Sequence, residues 1–474
     1  MDQDKLLRSV VRIHSYGRPI DMAKPFITSD RSKGVGTGFF VHREDGQNMY
    51  VLTCAHVVDG ADSVTILLPL LGGTEHPATV LSFVPQYDIA VLVTKKLPQT
   101  STLPIGASTT LKLGQPLTAV GYPLGQTAIK VSDGVYAGFQ AALQHTVSIS
   151  PGNSGGPLIS ADGSVVGVNS SGVMEASNVG YAVPIEMFMD IRSRMFIPDP
   201  EGGPNPGRVV HLPIFGVEYM PITKFHSNAV GASKCGGGGV QITSVIPDSG
   251  MHDVGVVPGD ILTQFDGMAV DTNGEVSVPW NYQKVSLGDV FRRSVGEREY
   301  KLRIWQAAAR SCADLAVRPR PNPHAAMRDI FPPHDPIPYM VVAGLVIMPL
   351  LKNHETCPQL SRMYACKETS ELTEPSLVIS HIFNGTLAQI EGGMYAGDEV
   401  GRVNEVDVHT LDDVRRALVK CKHVDGYTML SIATPKGKML VLNTLDVLQS
   451  EQRALSDKLY TPEPELMRYL SAGR

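Results

Sequence analysis

The stretch SPGNSGGPL, residues Ser150 to Leu158, sets three glycines and two prolines around one serine, Ser154. Glycine inside a helix or strand destabilises by roughly 0.5–1 kcal/mol, so this density marks backbone geometry that glycine alone adopts easily. A tight turn presenting the Ser154 hydroxyl fits that requirement.

The surrounding text is β-rich. From Leu6 to Pro184, short apolar and β-branched runs such as GVGTGFFVH, MYVLTCAH, IAVLVT, SVVGVNS and GYAVP alternate with glycine-containing turns. Repeated short strands at this spacing predict an all-β barrel or sandwich. A helix is expected over 185–195, and the proline- and glycine-rich 197–207 reads as a linker.

Two histidine- and aspartate-bearing strings precede the serine: VLTCAHVV, where His56 follows an apolar run, and QYDIAVLV, where Asp88 opens one. Each residue alone has a plain structural reading, since glycine, serine and aspartate are ordinary turn formers. Together, the order His56, Asp88, Ser154 is one of the known chain orders of a Ser-His-Asp triad. A serine hydroxyl needs a base, which an imidazole supplies, and the carboxylate fixes that imidazole's tautomer. Backbone N–H groups around Gly152, Asn153 and Ser154 would then form an oxyanion hole.

Length and composition bound the rest. A chain of 474 residues predicts about three domains. With 43% hydrophobic residues, 19% charged residues and a net charge of -6, it reads as a soluble, mildly acidic globular protein with no footprint for nucleic acid. The six cysteines, at 54, 235, 312, 357, 366 and 421, show no metal-site spacing and are expected as reduced thiols. No cofactor or metal is expected. The N-terminus carries acidic residues and no apolar core of a secretory signal, so a cytoplasmic or nuclear location is expected. The longest apolar run, Tyr339 to Leu351, falls short of the ~20 residues of a membrane helix and reads as a buried strand.

Beyond the first domain, taken as 1–196, two further pieces are expected at 208–310 and 335–447, with a tail over 448–474 that turns from helical to polar. They carry an internal echo, QITSVIPDSGMHDVGVVPGDILTQFDGMAV against LVISHIFNGTLAQIEGGMYAGDEVGRVNEVDV, which suggests duplicated modules.

In the phrases GVGTGFFV, VLTCAHVV, YDIAVL, VGYPLG, SPGNSGGPLIS, GSVVGVN and GYAVP the sequence resembles the Deg/HtrA family of trypsin-like serine proteases with PDZ domains, in pattern the plant-type members. The resemblance implies a mainly β fold: a chymotrypsin-like double β-barrel followed by two PDZ-like α+β domains. It implies an ATP-independent endopeptidase acting on unfolded or damaged proteins, with His56, Asp88 and Ser154 as triad. It also places Gln144, His145, Thr146, Asn169, Ser170 and Tyr181 around a pocket for small or medium apolar side chains. Two departures stand out: Gln144 to Val147 replace the family's Gln-Thr-Asp-Ala, and the loop between YAGFQ and LQHTV is very short.

PDZ domains take extended peptides along a sheet edge and hold the terminal carboxylate in a backbone nest. Phe215, Gly216 and Val217 match that nest in the first module, and Ala343 to Leu345 match it in the second, where a structural role is favoured. Asp271 to Trp280 looks like the plant-type insertion. The family further implies a homo-oligomer, a trimer or multiple of three, with Tyr16 and Phe26 as candidate contacts. Two other readings fit the same text: a catalytically silent PDZ scaffold or holdase, and a regulatory protease with one folded substrate.

Overall fold

The computed structural model describes residues 3–27, 29–41, 48–172, 178–196, 208–236, 238–296, 298–321, 329–365, 367 and 374–472. The expected linker over 197–207 and Cys366 lie outside them. The chain forms two compact units, one of Met1–Pro19 with Asp30–Asn322, the other of Ile20–Ser29 with Pro323–Arg474.

The first unit begins with six strands: β1 (Val10–Gly17), β2 (Ser32–Val41), β3 (Asn48–Thr53), β4 (Ala61–Leu67), β5 (Glu75–Val84) and β6 (Ile89–Lys95). They pair as β4-β1-β2-β3-β6, and β5 bonds to both β4 and β6, closing a barrel. Ile13 and Ile66 pair across β1 and β4, Phe40, Val51 and Leu92 pair across β2, β3 and β6, and all five are fully buried. A second closed barrel comprises β7 (Pro116–Gly121), β8 (Lys130–Gln140), β9 (Ala142–His145), β10 (Pro157–Ser160), β11 (Val165–Gly172) and β12 (Gly180–Pro184). The expected helix follows at Ile185–Met195 and buries Ile185, Phe188 and Ile191.

Register positions the chemistry. Thr53 at the end of β3 pairs with Ala90 at the start of β6. The residues just beyond these ends, His56 on the turn Ala55–Val58 and Asp88 before Ile89, are thereby brought together. The SPGNSGGPL turn joins β9 to β10, and hydrogen bonds bind it to its neighbours: Gly155 N–H donates to Asn169 O at 2.7 Å, and Thr37 N–H donates to Ser154 O at 2.9 Å.

The same unit contains the first PDZ-like module, a sheet ordered Val217–Pro221, Val240–Val245, Ile261–Phe265, Tyr300–Gln306 and Ser311–Val317, with a helix at Leu287–Arg293. Arg293 stacks over Trp280, 3.9 Å from the ring centroid, and over Phe139, 4.9 Å away. Phe139 lies at the short hairpin between β8 and β9, so this stack ties the module to the second barrel. The Tyr87 hydroxyl also donates to Arg292 O.

Two cysteines correct the expectation of six reduced thiols: Cys235 and Cys312 form a disulfide, with Cα atoms 5.7 Å apart and a sequence separation of 77. Spacing could not reveal it, because the pairing depends on Cys312 facing Trp305 across a strand ladder that also packs on Cys235. Cys54, Cys357 and Cys421 are free.

In the second unit the apolar run 339–351 is a hairpin rather than one strand: Met340–Val342 and Leu345–Pro349 pair around Ala343 and Gly344, whose φ values are 51° and 94°. The tail departs from its expected polar end. Helices Thr444–Ser456 and Pro464–Ala472 pack on the module, and Leu466 and Leu470 join the same core as Leu345, Val414 and Leu430. Leu466, Met467 and Leu470 stand at i, i+1 and i+4 of that helix and share one face, a short signal that directly follows Pro462 and Pro464 in sequence. Phe26, expected at an oligomer contact, packs within this unit against Phe383, their ring centroids 4.5 Å apart. The Tyr16 hydroxyl donates to Glu75 on the first barrel.

Candidate active site

His56 Nδ1 lies 2.9 Å from each oxygen of Asp88, and the His56 backbone N–H donates to Asp88 Oδ1 at 3.0 Å. The Ser170 hydroxyl donates to Asp88 Oδ2 at 2.6 Å. The Ser170 carbonyl oxygen in turn accepts from Ser154 Oγ at 2.8 Å. One residue of β11 thus touches both the carboxylate and the serine, which brings His56, Asp88 and Ser154 into one cluster. Among the described residues the serine hydroxyl is bonded to Ser170 rather than to the imidazole.

Electrostatics follow from these contacts. Burial lowers the basicity of His56, but the bond to Asp88 and the charges of Asp88 and Asp59 outweigh it, and its pKa is raised. For Asp88 burial opposes ionisation, and the bonds from His56 and Ser170 prevail, holding the carboxyl below its usual value. The pair therefore favours a charged carboxylate next to an imidazole that readily holds a proton.

The glycines now have physical causes. Gly152 has φ 99°, and a Cβ there would stand 2.4 Å from Tyr122 O. Gly155 has φ 84°, and its Cβ would stand 2.1 Å from Thr53 Oγ1 and 2.2 Å from Thr37 O. The Gly152 carbonyl accepts from Thr37 Oγ1 at 2.6 Å. Among the described residues no backbone acceptor takes the N–H of Gly152 or Ser154, whereas Asn153 N–H is committed to Ser150 O at 3.0 Å. Asn153 itself is buried. The Asn153 amide, expected in the oxyanion hole, is thus already used.

The expected pocket residues divide. His145 is fully buried, its pKa pushed down to about 4 by burial, and a Cβ on Gly180 would touch its ring at 2.3 Å. Asn169 is fully buried and donates through Nδ2 to Pro157 O at 3.1 Å. Thr146 accepts from Val135 N–H at 2.9 Å through its hydroxyl. His145 and Asn169 thus lie in the barrel interior, and Thr146 is half-buried beside β8. On β9 the alternation that buries His145 runs over only four residues, with Ala142 and Gln144 half-buried and Leu143 and His145 buried. Gln144 and Tyr181 remain half-buried register partners across β9 and β12. Thr37 was missed as a support, although the glycines flanking it in GVGTGFFV signalled a close backbone approach.

In the first module Phe215 is buried among Phe265, Phe291 and Tyr300, and Gly216 has φ 80°. A cavity of about 460 Å³ opens beside Phe215, Gly216, Val217 and Phe291. The second module repeats the turn: Gly216 O accepts from Ile246 N–H and Gly344 O from Phe383 N–H, at 2.8 and 2.9 Å. There, however, the Ala343 N–H donates to the buried carboxylate of Glu451 at 2.5 Å.

A two-barrel fold with this cluster defines a trypsin-like peptidase, and the trypsin-like peptidase domain profile matches residues 36–168. A putative serine protease, HhoB, of Synechocystis is 30% identical over 316 residues, covering 62% of this chain and 68% of that protein. A probable periplasmic serine endoprotease of DegP-like type from Halomonas elongata is 32% identical over 275 residues, covering 55% of this chain and 53% of that protein. The chain belongs to the Deg/HtrA family of serine proteases, and the match spans between about half and two-thirds of these relatives' lengths. Among solved structures, an HtrA-type protease AlgW variant with a decapeptide superposes with a TM-score of 0.50 at 20% identity, over 70% of this chain and 99% of that one, a likeness of fold.

Proposed function

We propose that the chain is a serine endopeptidase of Deg/HtrA type that cleaves unfolded or damaged polypeptides through an acyl-enzyme, without ATP or a metal. The observation that carries this is the linked contact of Ser170 with both Asp88 and Ser154, beside the 2.9 Å pairing of Asp88 with His56.

Rotation of the Ser154 hydroxyl from the Ser170 carbonyl to His56 Nε2 prepares attack. His56 takes the hydroxyl proton as Oγ bonds to the scissile carbonyl carbon, and Asp88 stabilises the imidazolium. The N–H groups of Gly152 and Ser154 receive the oxyanion. Collapse of the tetrahedral intermediate breaks the C–N bond as the imidazolium protonates the leaving amine. Water, activated by the same imidazole, then releases the acid and restores the serine.

The open cavity at Phe215, Gly216 and Val217 supports capture of peptide ends or segments by the first module. The engagement of Ala343 by Glu451 favours a structural role for the second. Homo-oligomerisation and a cytoplasmic or nuclear site of action belong to the same reading. No helix among the described residues is long and apolar enough to cross a membrane.

Casein digestion by the native chain and by Ser154→Ala tests the proposal. Digestion by the native chain alone supports it; equal digestion by both removes the assigned nucleophile. Digestion of one folded partner but not of denatured casein supports a regulatory protease instead.

A further inference from the structure

Cys54 is not needed for the reaction above, yet its position bears on it. It follows β3, directly before the turn that carries His56, and is fully buried. Its thiol donates to Asn169 O at 3.2 Å. Its sulfur, a ring nitrogen of His56 and a carboxylate oxygen of Asp88 all lie within 4.8 Å of one another. Burial and the adjoining Asp88 charge push the thiol well above its ordinary pKa, which keeps it protonated in the resting site.

We propose that Cys54, His56 and Asp88 form an inhibitory site for a thiophilic divalent cation of the zinc class. Three protein ligands of mixed S, N and O type with one position left for water are a set that zinc accepts, with metal–ligand bonds of about 2.0–2.3 Å. A cation central to atoms within 4.8 Å of one another stands at most about 2.8 Å from each, so shifts of several tenths of an ångström complete the bonds. The thiolate selects zinc over magnesium or calcium. Charge selects a divalent ion: two positive charges meet one carboxylate and one thiolate, leaving a neutral site where burial penalises net charge. The half-exposed His56 side chain is the entry side.

The proton balance explains the inhibition. The thiol loses one proton to solvent and sulfur bonds to the metal. The His56 ring bonds the metal through Nδ1, the nitrogen that faces Asp88, and its proton moves to Nε2. An Nε2 that carries hydrogen has no lone pair for the Ser154 proton, and Asp88, bound to the cation, no longer orients the ring. No oxidation or reduction is involved, and chelation reverses every step.

The inhibition rests on the proposed peptidase reaction, whereas metal binding does not, so the two are measured separately. Binding is read on Ser154→Ala protein titrated with Co²⁺ as a coloured substitute for zinc. A thiolate-to-cobalt charge-transfer band is expected, and it is lost in Ser154→Ala/Cys54→Ala. Inhibition is read as casein hydrolysis by the native chain with ZnCl₂, then with a chelator. Zinc is expected to suppress hydrolysis reversibly, and Cys54→Ala to need at least about tenfold more zinc for the same effect. Cys54→Ser serves the same comparison if the alanine variant folds poorly. No cobalt band, a band that survives loss of Cys54, or zinc inhibition that is the same without Cys54 would each overturn the proposal. Absence of hydrolysis in every sample refutes the peptidase reading and leaves the cobalt result to decide the site.

Discussion

Ser170 donates its hydroxyl to Asp88 Oδ2 at 2.6 Å, while its own carbonyl oxygen accepts from Ser154. A residue expected to line a pocket thereby orients the carboxylate. Ser170→Ala removes one charge-assisted bond, worth about 1.5–3 kcal/mol. A fall in kcat of roughly tenfold to a hundredfold, with KM little changed, is expected in peptide-substrate kinetics. An unchanged kcat would show that His56 alone suffices to place Asp88.

The pH profile carries a definite sign. The pKa of His56 is raised, so the ring keeps its proton to higher pH and activity appears only as pH rises through that value, above the ordinary 6.5. Asp88→Asn removes the bond and charge that raise it and leaves burial, which lowers it. The acidic limb of kcat/KM is therefore expected to move to lower pH while turnover falls by up to about 10⁴. A limb that stays in place means that another group controls it.

Gly152→Ala sets a Cβ 2.4 Å from Tyr122 O at a φ of 99°. The turn must shift, and its N–H leaves the oxyanion. Loss of one such donor costs about 10²–10³ in kcat. Circular dichroism and kinetics together check this: native-like folding with that loss is expected.

Stability of the second unit depends on its last helix. Leu466 is fully buried in the common core. Leu466→Ala is expected to cost about 2–5 kcal/mol in urea unfolding followed by a probe within that unit. A neutral result would make the tail an accessory.

The disulfide has a separate consequence. Cys235 and Cys312 close a loop with 77 residues of separation, and a cross-link of such span stabilises by about 2–4 kcal/mol. Dithiothreitol is expected to lower the unfolding midpoint of the first module. A Cys235→Ala/Cys312→Ala chain should start at the lower value and respond no further.

The barrels and the meeting of His56, Asp88 and Ser154 were legible because strands announce themselves locally, and because His56 and Asp88 each adjoin a strand end that register then aligns. Gly152 and Gly155 were legible for the same local reason, a backbone that excludes a Cβ. What stayed hidden depends on partners distant in sequence. His145 and Asn169 look polar and available until Gly180 and Pro157 close over them. Cys235 meets Cys312 only through a strand ladder, and Phe26 finds Phe383 more than 350 positions away. The commitment of the Asn153 backbone N–H to Ser150 O also escaped notice, since such a bond leaves no trace in composition.

The central claim is that Ser154 is the nucleophile of a triad with His56 and Asp88. Reaction of the folded chain with a labelled fluorophosphonate, followed by peptide mapping, tests it directly. The account predicts a single adduct on Ser154, strongly reduced in His56→Ala and absent after denaturation. A folded chain that remains unlabelled, or an adduct on a different residue, would contradict it.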